Sequence, residues 1–285
     1  MLDAIRFFQR QAGNLPKLLT LGGMEELGDE GPLLHHETGS RITMGPSDKV
    51  LLVGEKAEWM KAGILKSGIE RESIELLKNF NNKNKINLSA PVPVFDIIEF
   101  LGYDIDFRKD GIYQDTDILG GTLIEEKTVQ INENIADHDG RMHFTAAHEI
   151  GHIVLHAPLF KRANNVDSDQ KIISRKNEGF EGKRKQPEEW QADKFAAFLL
   201  MPSKLVKKAF YNCYKKPINV RKKKLLEFIF PKPTFVKGYA IADIILKEGK
   251  FNNVSKMAML NRLIGMRLVK GLSYQKASPH KKNRR

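Results

Sequence analysis

Apolar residues recur at helical spacing over much of the chain. Before residue 103 this spacing predicts four helical segments: Ala4–Gln11, Ala57–Leu65, Ile74–Phe80 and Val94–Leu101. A polar linker, Asn81–Lys85, follows the third segment. The fourth ends at Gly102, because glycine is preferred just past the end of a helix. Glycine and proline interrupt the pattern from Gly13 to Pro46, so a loop is expected there.

The periodicity changes in the middle of the chain. After Gly120 and Gly121, two β-prone segments, Thr122–Ile124 and Thr128–Asn132, predict paired or edge strands. Helical spacing then returns in four segments: Arg141–His156, Pro187–Met201, Tyr239–Lys247 and Ser255–Leu268. The polar stretch Lys161–Lys185 is expected to be a loop. Helices with a small, edge-containing sheet indicate an α+β fold.

The composition is that of a folded chain that needs no disulfides. With 41% hydrophobic and 29% charged residues, 285 residues suffice to bury one or two cores. Cys213 is the single cysteine, which excludes an intramolecular disulfide and a four-cysteine zinc site. The opening residues do not form the apolar run of a secretory signal, and no stretch approaches the roughly 18 apolar residues of a membrane span. We therefore expect a soluble, cytoplasmic protein without a membrane partner.

One motif in the predicted helix Arg141–His156 has the residues of a metal site. It is His148-Glu149-Ile150-Gly151-His152, the H-E-x-x-H pattern. Residues four apart lie about 5–6 Å from each other on one helix face, so His148 and His152 can bind one metal ion. Glu149 projects beside that face, where it can take a proton from water and pass it to a leaving amine. The apolar flanks predict a buried helix, and Gly151 permits close approach of another element.

A catalytic zinc site needs a third protein ligand and one open position. Glu189 and Asp193 are four apart in the predicted helix Pro187–Met201, so both can face the histidine helix. We predict that Glu189 binds the metal and that Asp193 accepts a hydrogen bond from the other ring N–H of a ligating histidine. Glu188 is the alternative ligand, but it points about 100° away and has no Asp at the same offset.

His156 lies four residues beyond His152 and is a further alternative for the third ligand. Ligands at three successive positions four apart span about 12 Å of helix axis, too far for one ion held at about 2.1 Å from each nitrogen. We therefore expect a structural or cleft-wall role for His156. His35 and His36 lack partners at ligand spacing and are expected at the surface. Zinc is the default metal for two histidines and one carboxylate, although Mn²⁺ and Fe²⁺ accept the same ligands.

Three stretches between residues 141 and 202 share the spacing of a known family. They are Arg141–Thr145 leading into the histidine helix, Glu189–Ala196 with the pattern E-x-x-A-D-x-F-A, and Leu199–Pro202. Together they resemble the ImmA/IrrE family of zinc-dependent metallopeptidases, over roughly residues 71–202. The resemblance implies a zincin-like core with one Zn²⁺ held by His148, His152 and Glu189, and with Glu149 as general base. Asp193 departs from the family, in which Asn is more frequent, but either residue accepts a hydrogen bond.

The resemblance also implies a biological setting and a division of the chain. The implied substrate is a protein, a helix-turn-helix transcriptional repressor, cleaved in a stress or mobile-element response. The predicted organisation is a segment of unknown role over residues 1–68, the zinc metallopeptidase domain over residues 69–202, and a basic helical domain over residues 203–285.

Charge sets residues 203–285 apart. They hold 22 Lys and Arg against three acidic residues, a net charge of +19, whereas the rest of the chain carries −7. Two helices in this part are compatible with a helix-turn-helix. Four of their side chains are candidates for contacts with DNA phosphates: Lys256, Asn261, Arg262 and Arg267. A solvated basic face is the commoner reason for such a composition, so DNA binding is the less favoured interpretation.

Two functions are therefore compatible with the sequence. The first is a zinc-dependent endopeptidase that cleaves a regulatory protein. The alternative is a DNA- or repressor-binding regulator with a structural or vestigial metal site. Glu149 favours the enzyme, because a structural site needs ligands but no general base.

Overall fold

The computed structural model describes residues 18–22, 31–40, 42, 49–54, 57–109, 111–112, 115, 117–136, 138–158, 172–176, 187–221 and 234–274. The chain divides into two compact units, Met1–Glu72 and Ser73–Arg285. The predicted helix Ala4–Gln11 lies outside the described residues. No helix in the described part of the chain combines the length and the apolar character that crossing a bilayer requires.

The first unit contains a β–α–β arrangement. Strands β1 (Leu18–Gly22) and β2 (Lys49–Val53) pair in parallel, helix α1 (Gly31–Ser40) connects them in sequence, and helix α2 (Ala57–Asn84) begins in this unit. Its buried apolar cluster consists of Leu21, Ile42 and Met60. Helices α1 and α2 approach each other closely at Gly39. A Cβ at this position would collide with the backbone of Met60.

Three expectations for this part of the chain are wrong. The stretch from Gly13 to Pro46 contains β1 and α1 and is not simply a loop. His35, expected at the surface, is fully buried, with Nδ1 2.6 Å from the carbonyl oxygen of Gly31. The two helical segments after residue 57 form one continuous helix, and most of the expected linker is its last turn. The Asn84 side chain donates to the Phe80 carbonyl at 3.0 Å, which satisfies a backbone acceptor at that helix end.

A four-stranded sheet with the order β3-β5-β4-β6 belongs to the second unit. Its strands are β3 (Asp104–Arg108), β4 (Ile118–Leu123), β5 (Thr128–Asn132) and β6 (Ile172–Lys176). Strand β3 runs parallel to β5, whereas β4 is antiparallel to both β5 and β6. The predicted pair of strands is thus confirmed. Strand β6 contradicts the loop expected over Lys161–Lys185 for these five residues, and the other residues of that stretch lie outside the described ones.

Four helices of the second unit lie in the region of the predicted site. They are α3 (Val94–Phe100), α4 (Asp139–Leu155), α5 (Pro187–Leu200) and α6 (Ser203–Cys213), and the predicted site residues belong to α4 and α5. Helix α4 contacts β4 and β5 of the sheet as well as α3 and α5. Its residues from Thr145 to Ile153 are all buried, as its apolar flanks predict. Gly102 follows α3 with φ +79°, a conformation that favours glycine, and confirms the predicted helix stop. The unit is α+β, as the sequence predicts.

The C-terminal helices belong to the same compact unit as the sheet. Helices α7 (Thr234–Glu248) and α8 (Lys256–Gly265) pack on each other, and short strands β7 (Ile218–Asn219) and β8 (Val269–Lys270) pair in parallel. Asn253 donates to the carbonyl of Val92 at 3.0 Å. Arg262 donates to the carbonyl of Met201 at 3.0 Å and to Ser203 at 2.8 Å. Buried side-chain hydrogen bonds therefore link this part of the chain to the segments around α3 and α5.

Candidate metal centre

Helices α4 and α5 approach each other closely at Gly151. A Cβ at this position would lie 3.0 Å from the Cα of Ala192 and 3.2 Å from its carbonyl oxygen, closer than ordinary contacts allow. The absent side chain of Gly151 thus lets the two helix backbones pack directly. Because the histidines and the candidate carboxylates lie on these two helices, this close approach brings them within reach of each other.

Three side chains converge between the two helices. The Nε2 atoms of His148 and His152 are 3.0 Å apart. Glu189 reaches both, with Oε2 3.3 Å from Nε2 of His148 and Oε1 3.1 Å from Nε2 of His152. Among the described residues, these three form the cluster whose candidate ligand atoms all lie within 4.8 Å of one another. Two imidazole nitrogens and a carboxylate oxygen are the donor set of many zinc sites, so the arrangement is compatible with a bound metal ion.

The other ring nitrogen of His148 is held by Asp193. Nδ1 lies 2.9 Å from Oδ1 of Asp193, one helical turn beyond Glu189 on α5. A carboxylate in this position favours the tautomer that carries the proton on Nδ1 and leaves the lone pair on Nε2. The geometry therefore orients Nε2 of His148 toward the cluster.

His152 has a different partner on its outer side. Its Nδ1 lies 2.9 Å from Nδ1 of His156, and Nε2 of His156 lies 3.2 Å from Oε1 of Gln191. Both histidines are buried. His156 is thus next to the cluster but does not belong to it, in agreement with the helix-axis argument. Glu188, the alternative ligand, is exposed and lies outside the cluster.

Glu149 directly follows His148 in α4 and is fully buried, with its carboxylate facing the sheet. Thr122 of β4 donates to its Oε2 at 2.8 Å. Gly120, on the same strand, lies so close that a Cβ there would be 2.9 Å from Oε1 of Glu149 and would collide with Thr145. Neither contact is predictable from the helix motif alone. The only sequence signal for them is the glycine pair at the start of a β-prone segment, which marks a close approach to the strand.

The charge states of His152 and Glu189 match those of metal ligands. Burial lowers the pKa of His152 from 6.5 to about 4, so its imidazole is neutral near pH 7. Burial alone would raise the pKa of Glu189, but its hydrogen bonds with His148 and His152 outweigh this effect and hold the pKa well below its usual range. A neutral imidazole and an ionised carboxylate are the forms that coordinate metals.

The structure changes the interpretation of the candidate DNA contacts. Arg262 is buried, and its guanidinium lies over the ring of Phe198 at 4.5 Å, in addition to its two hydrogen bonds. It is therefore not available for a phosphate, and its prediction as a DNA contact is wrong. Lys256 pairs with Asp243 at 2.7 Å. Asn261 and Arg267 are half-buried.

The region that contains both site helices matches a known protein family. Residues 106–216 match the family model of Peptidase M78, the IrrE N-terminal-like domain. No curated protein matches the chain. The matched region includes β4 and β5 of the sheet and runs through α4, α5 and α6. The chain therefore carries a zincin-like α+β domain of metallopeptidase type that is similar to the IrrE N-terminal-like domain.

Proposed function

We propose that the protein is a zinc-dependent endopeptidase that cleaves a regulatory protein. His148, His152 and Glu189 are the proposed ligands of one Zn²⁺, Glu149 is the proposed general base, and Asp193 orients His148. The observation that carries the proposal is Glu149, a fully buried carboxylate that directly follows one member of a three-ligand cluster in the chain. A structural metal site needs ligands but no general base, whereas hydrolysis needs a carboxylate that can accept a proton from water.

In the proposed hydrolysis, the metal and individual side chains have separate roles. A bound zinc ion supplies Lewis-acid polarisation of the scissile carbonyl. The carboxylate of Glu149 accepts a proton from the attacking water and donates it to the leaving amine nitrogen. The hydroxyl of Thr122 keeps this carboxylate in place through its 2.8 Å hydrogen bond. The burial of His148, Glu149 and His152 places these groups away from solvent and strengthens their electrostatic interactions.

The proposed substrate is a helix-turn-helix transcriptional repressor, cleaved in a stress or mobile-element response in the cytoplasm. The family resemblance supports this choice, and the single cysteine suits a reducing compartment. In the proposed organisation, residues 69–202 perform the hydrolysis. Residues 203–285 provide a basic surface, and residues 1–68 have no assigned role.

The test compares new protein N-termini in host cells that produce the wild type or Glu149→Gln, with and without DNA-damaging stress. Gln keeps the size of Glu but cannot accept the proton, so we expect a small set of cuts that only the wild type makes. The purified Glu149→Gln protein should still bind one equivalent of zinc, because the ligands are intact. The peptides that flank these cuts identify the substrate.

Two controls make the comparison specific. Glu188→Gln makes the same chemical change at an exposed carboxylate on α5 and should leave the cuts unchanged. Glu189→Gln should lose both the cuts and most of the zinc affinity. Identical sets of N-termini in wild type and Glu149→Gln, with zinc bound to both, would favour the regulator with a structural metal site. In that case a salt-dependent DNA affinity that needs residues 203–285 would be the next measurement.

A further inference from the structure

The Nδ1 atoms of the two candidate histidine ligands have different hydrogen-bond partners. His148 has the carboxylate of Asp193 at its Nδ1. His152 instead faces a second imidazole, with its Nδ1 2.9 Å from Nδ1 of His156. The far nitrogen of His156, Nε2, lies 3.2 Å from Oε1 of Gln191 on α5. The contacts form a chain of three side chains that starts at the cluster and ends on the neighbouring helix.

We propose that His156 is a positioning residue that fixes the tautomer and the ring orientation of His152, so that Nε2 of His152 presents its lone pair to the metal. The inference rests on the proposed metal site. It assigns to His156 the task that a carboxylate usually performs behind a ligating histidine.

The proton positions follow from the order of the contacts. A neutral imidazole has one donor nitrogen and one acceptor nitrogen. Because metal binding uses the lone pair on Nε2 of His152, the proton of this ring lies on Nδ1 and is donated to Nδ1 of His156. His156 then carries its own proton on Nε2, and this N–H donates a hydrogen bond to the side-chain oxygen Oε1 of Gln191. Each donor in the chain thus meets an acceptor, and each ring has a single allowed tautomer.

The backbone accounts for the placement of His156. This residue is the C-cap of α4, and its N–H donates to the carbonyl of His152 at 2.9 Å. Its φ of −113° departs from helical geometry, and its ring is tilted by 51° against that of His152, with centroids 5.0 Å apart. His156 therefore meets the Nδ1 edge of His152 and not the Nε2 edge that faces Glu189. This position suits a hydrogen-bond acceptor and excludes direct participation in the cluster.

The test measures zinc affinity by competition with a chelator of known affinity, using the full chain. In His156→Asn the side-chain oxygen takes approximately the place of Nδ1 and can accept the same hydrogen bond, whereas His156→Leu retains the bulk and removes the acceptor. We expect His156→Leu to lower zinc affinity by about 10–100-fold and His156→Asn to stay within about threefold of the wild type. As matched controls, His138→Asn and His138→Leu alter an exposed histidine just before α4 and should leave zinc affinity unchanged.

The thermal unfolding midpoint of the metal-free proteins separates positioning from mere packing. A purely structural role predicts that zinc affinity follows the loss of stability and that Asn, the smaller and more polar residue, is the worse replacement. Equal zinc affinities in wild type and His156→Leu, or a loss in His156→Asn as large as in His156→Leu, would overturn the inference. Failure of the wild type itself to bind zinc would instead overturn the proposed function.

A second measurement does not depend on the folding of any variant. In the zinc-loaded wild type, long-range ¹⁵N–¹H NMR spectra of the histidine rings distinguish protonated from unprotonated nitrogens. We expect an unprotonated Nδ1 and a protonated Nε2 in His156, with a protonated Nδ1 in His152. A proton on Nδ1 of His156 would overturn the inference, because that nitrogen could no longer accept a hydrogen bond from His152.

Discussion

At the scale of single residues, the centre depends on which atom of each side chain faces inward. His148 and His152 both present Nε2 to Glu189, while their Nδ1 atoms face Asp193 and His156. Burial keeps His152 neutral, and the two imidazoles keep Glu189 ionised. The H-E-x-x-H spacing predicts that two imidazoles meet. The orientation of His148 depends on Asp193, 45 positions later, and that of His152 on His156, which contacts Gln191 of α5.

The hydroxyl of Thr122 should matter for catalysis and not for zinc binding. Its hydrogen bond to Glu149 is buried, and removing a bond to a charged group costs about 1.5–3 kcal/mol. Thr122→Val should therefore lower the rate of substrate cleavage by about tenfold or more, while zinc content stays at one equivalent. Thr122→Ser, which keeps the hydroxyl, should retain most of the rate. The measurement is the rate at which each variant cleaves the substrate identified from the new N-termini. Equal rates for Thr122→Val and Thr122→Ser would contradict the role of this hydrogen bond.

Acid should destabilise the metal-free protein through His152 before it affects the carboxylates. Since the folded-state pKa of about 4 lies below the ordinary 6.5, the unfolded chain takes up the proton first as the pH falls. The contribution of His152 to stability is complete above about pH 6.5 and is lost progressively toward pH 4. The unfolding midpoint of chelator-treated wild type should fall between pH 7.5 and pH 5, and it should fall less in His152→Gln. Parallel curves for the two proteins would show that His152 is not buried in its neutral form.

At the scale of elements, the contact between α4 and α5 assembles the cluster. Each ligand lies on one of these two helices, and strand β4 contributes the contact with Glu149. The sequence predicts both helices to within a few residues, because their apolar periodicity is strong. It did not predict strand β6, since its five residues lie in a stretch dominated by polar and charged side chains. Its pairing with β4 depends on residues about 50 positions away.

Gly151→Ala tests the helix contact directly. The added methyl group meets the backbone of Ala192, which cannot rotate away, so the helices must separate. We expect a loss of about 1–3 kcal/mol in the free energy of unfolding, together with weaker zinc binding. Gly68→Ala is the matched control, because this helical glycine in α2 has open space around its Cα. It should leave zinc affinity unchanged, and an unchanged affinity in Gly151→Ala as well would contradict the role of the close approach.

At the scale of the whole molecule, the basic C-terminal part is joined to the fold by buried contacts. Arg262 on α8 donates to Met201 and Ser203, at the junction between α5 and α6. The sequence shows the excess of positive charge but not which cations are solvated. The sequence does not distinguish a buried arginine from an exposed one. In Arg262, the packing of the guanidinium over the ring of Phe198 makes this distinction.

Replacing Arg262 should therefore weaken the fold. Arg262→Met retains much of the side-chain bulk but leaves the carbonyl of Met201 without this donor, a loss of about 1–3 kcal/mol. Arg262→Lys should also destabilise, since an ammonium group does not reproduce the planar set of donors that reaches both acceptors. Lys208→Met, an exposed site on α6, serves as the control and should change stability little. Denaturant unfolding measures all three, and stability equal to wild type in Arg262→Met would contradict the structural role.

The sequence by itself determined the α+β class, the histidine helix and the residue types of a metal site. These properties depend on local spacing, because residues four apart on a helix share a face wherever that helix packs. Tertiary structure decided which partners these residues meet: Thr122 at Glu149, His156 and Gln191 behind His152, and Arg262 inside the fold. His156 lies one helical turn after His152, but the other partners come from different elements, and their contacts depend on packing between helices and strands that no local pattern encodes.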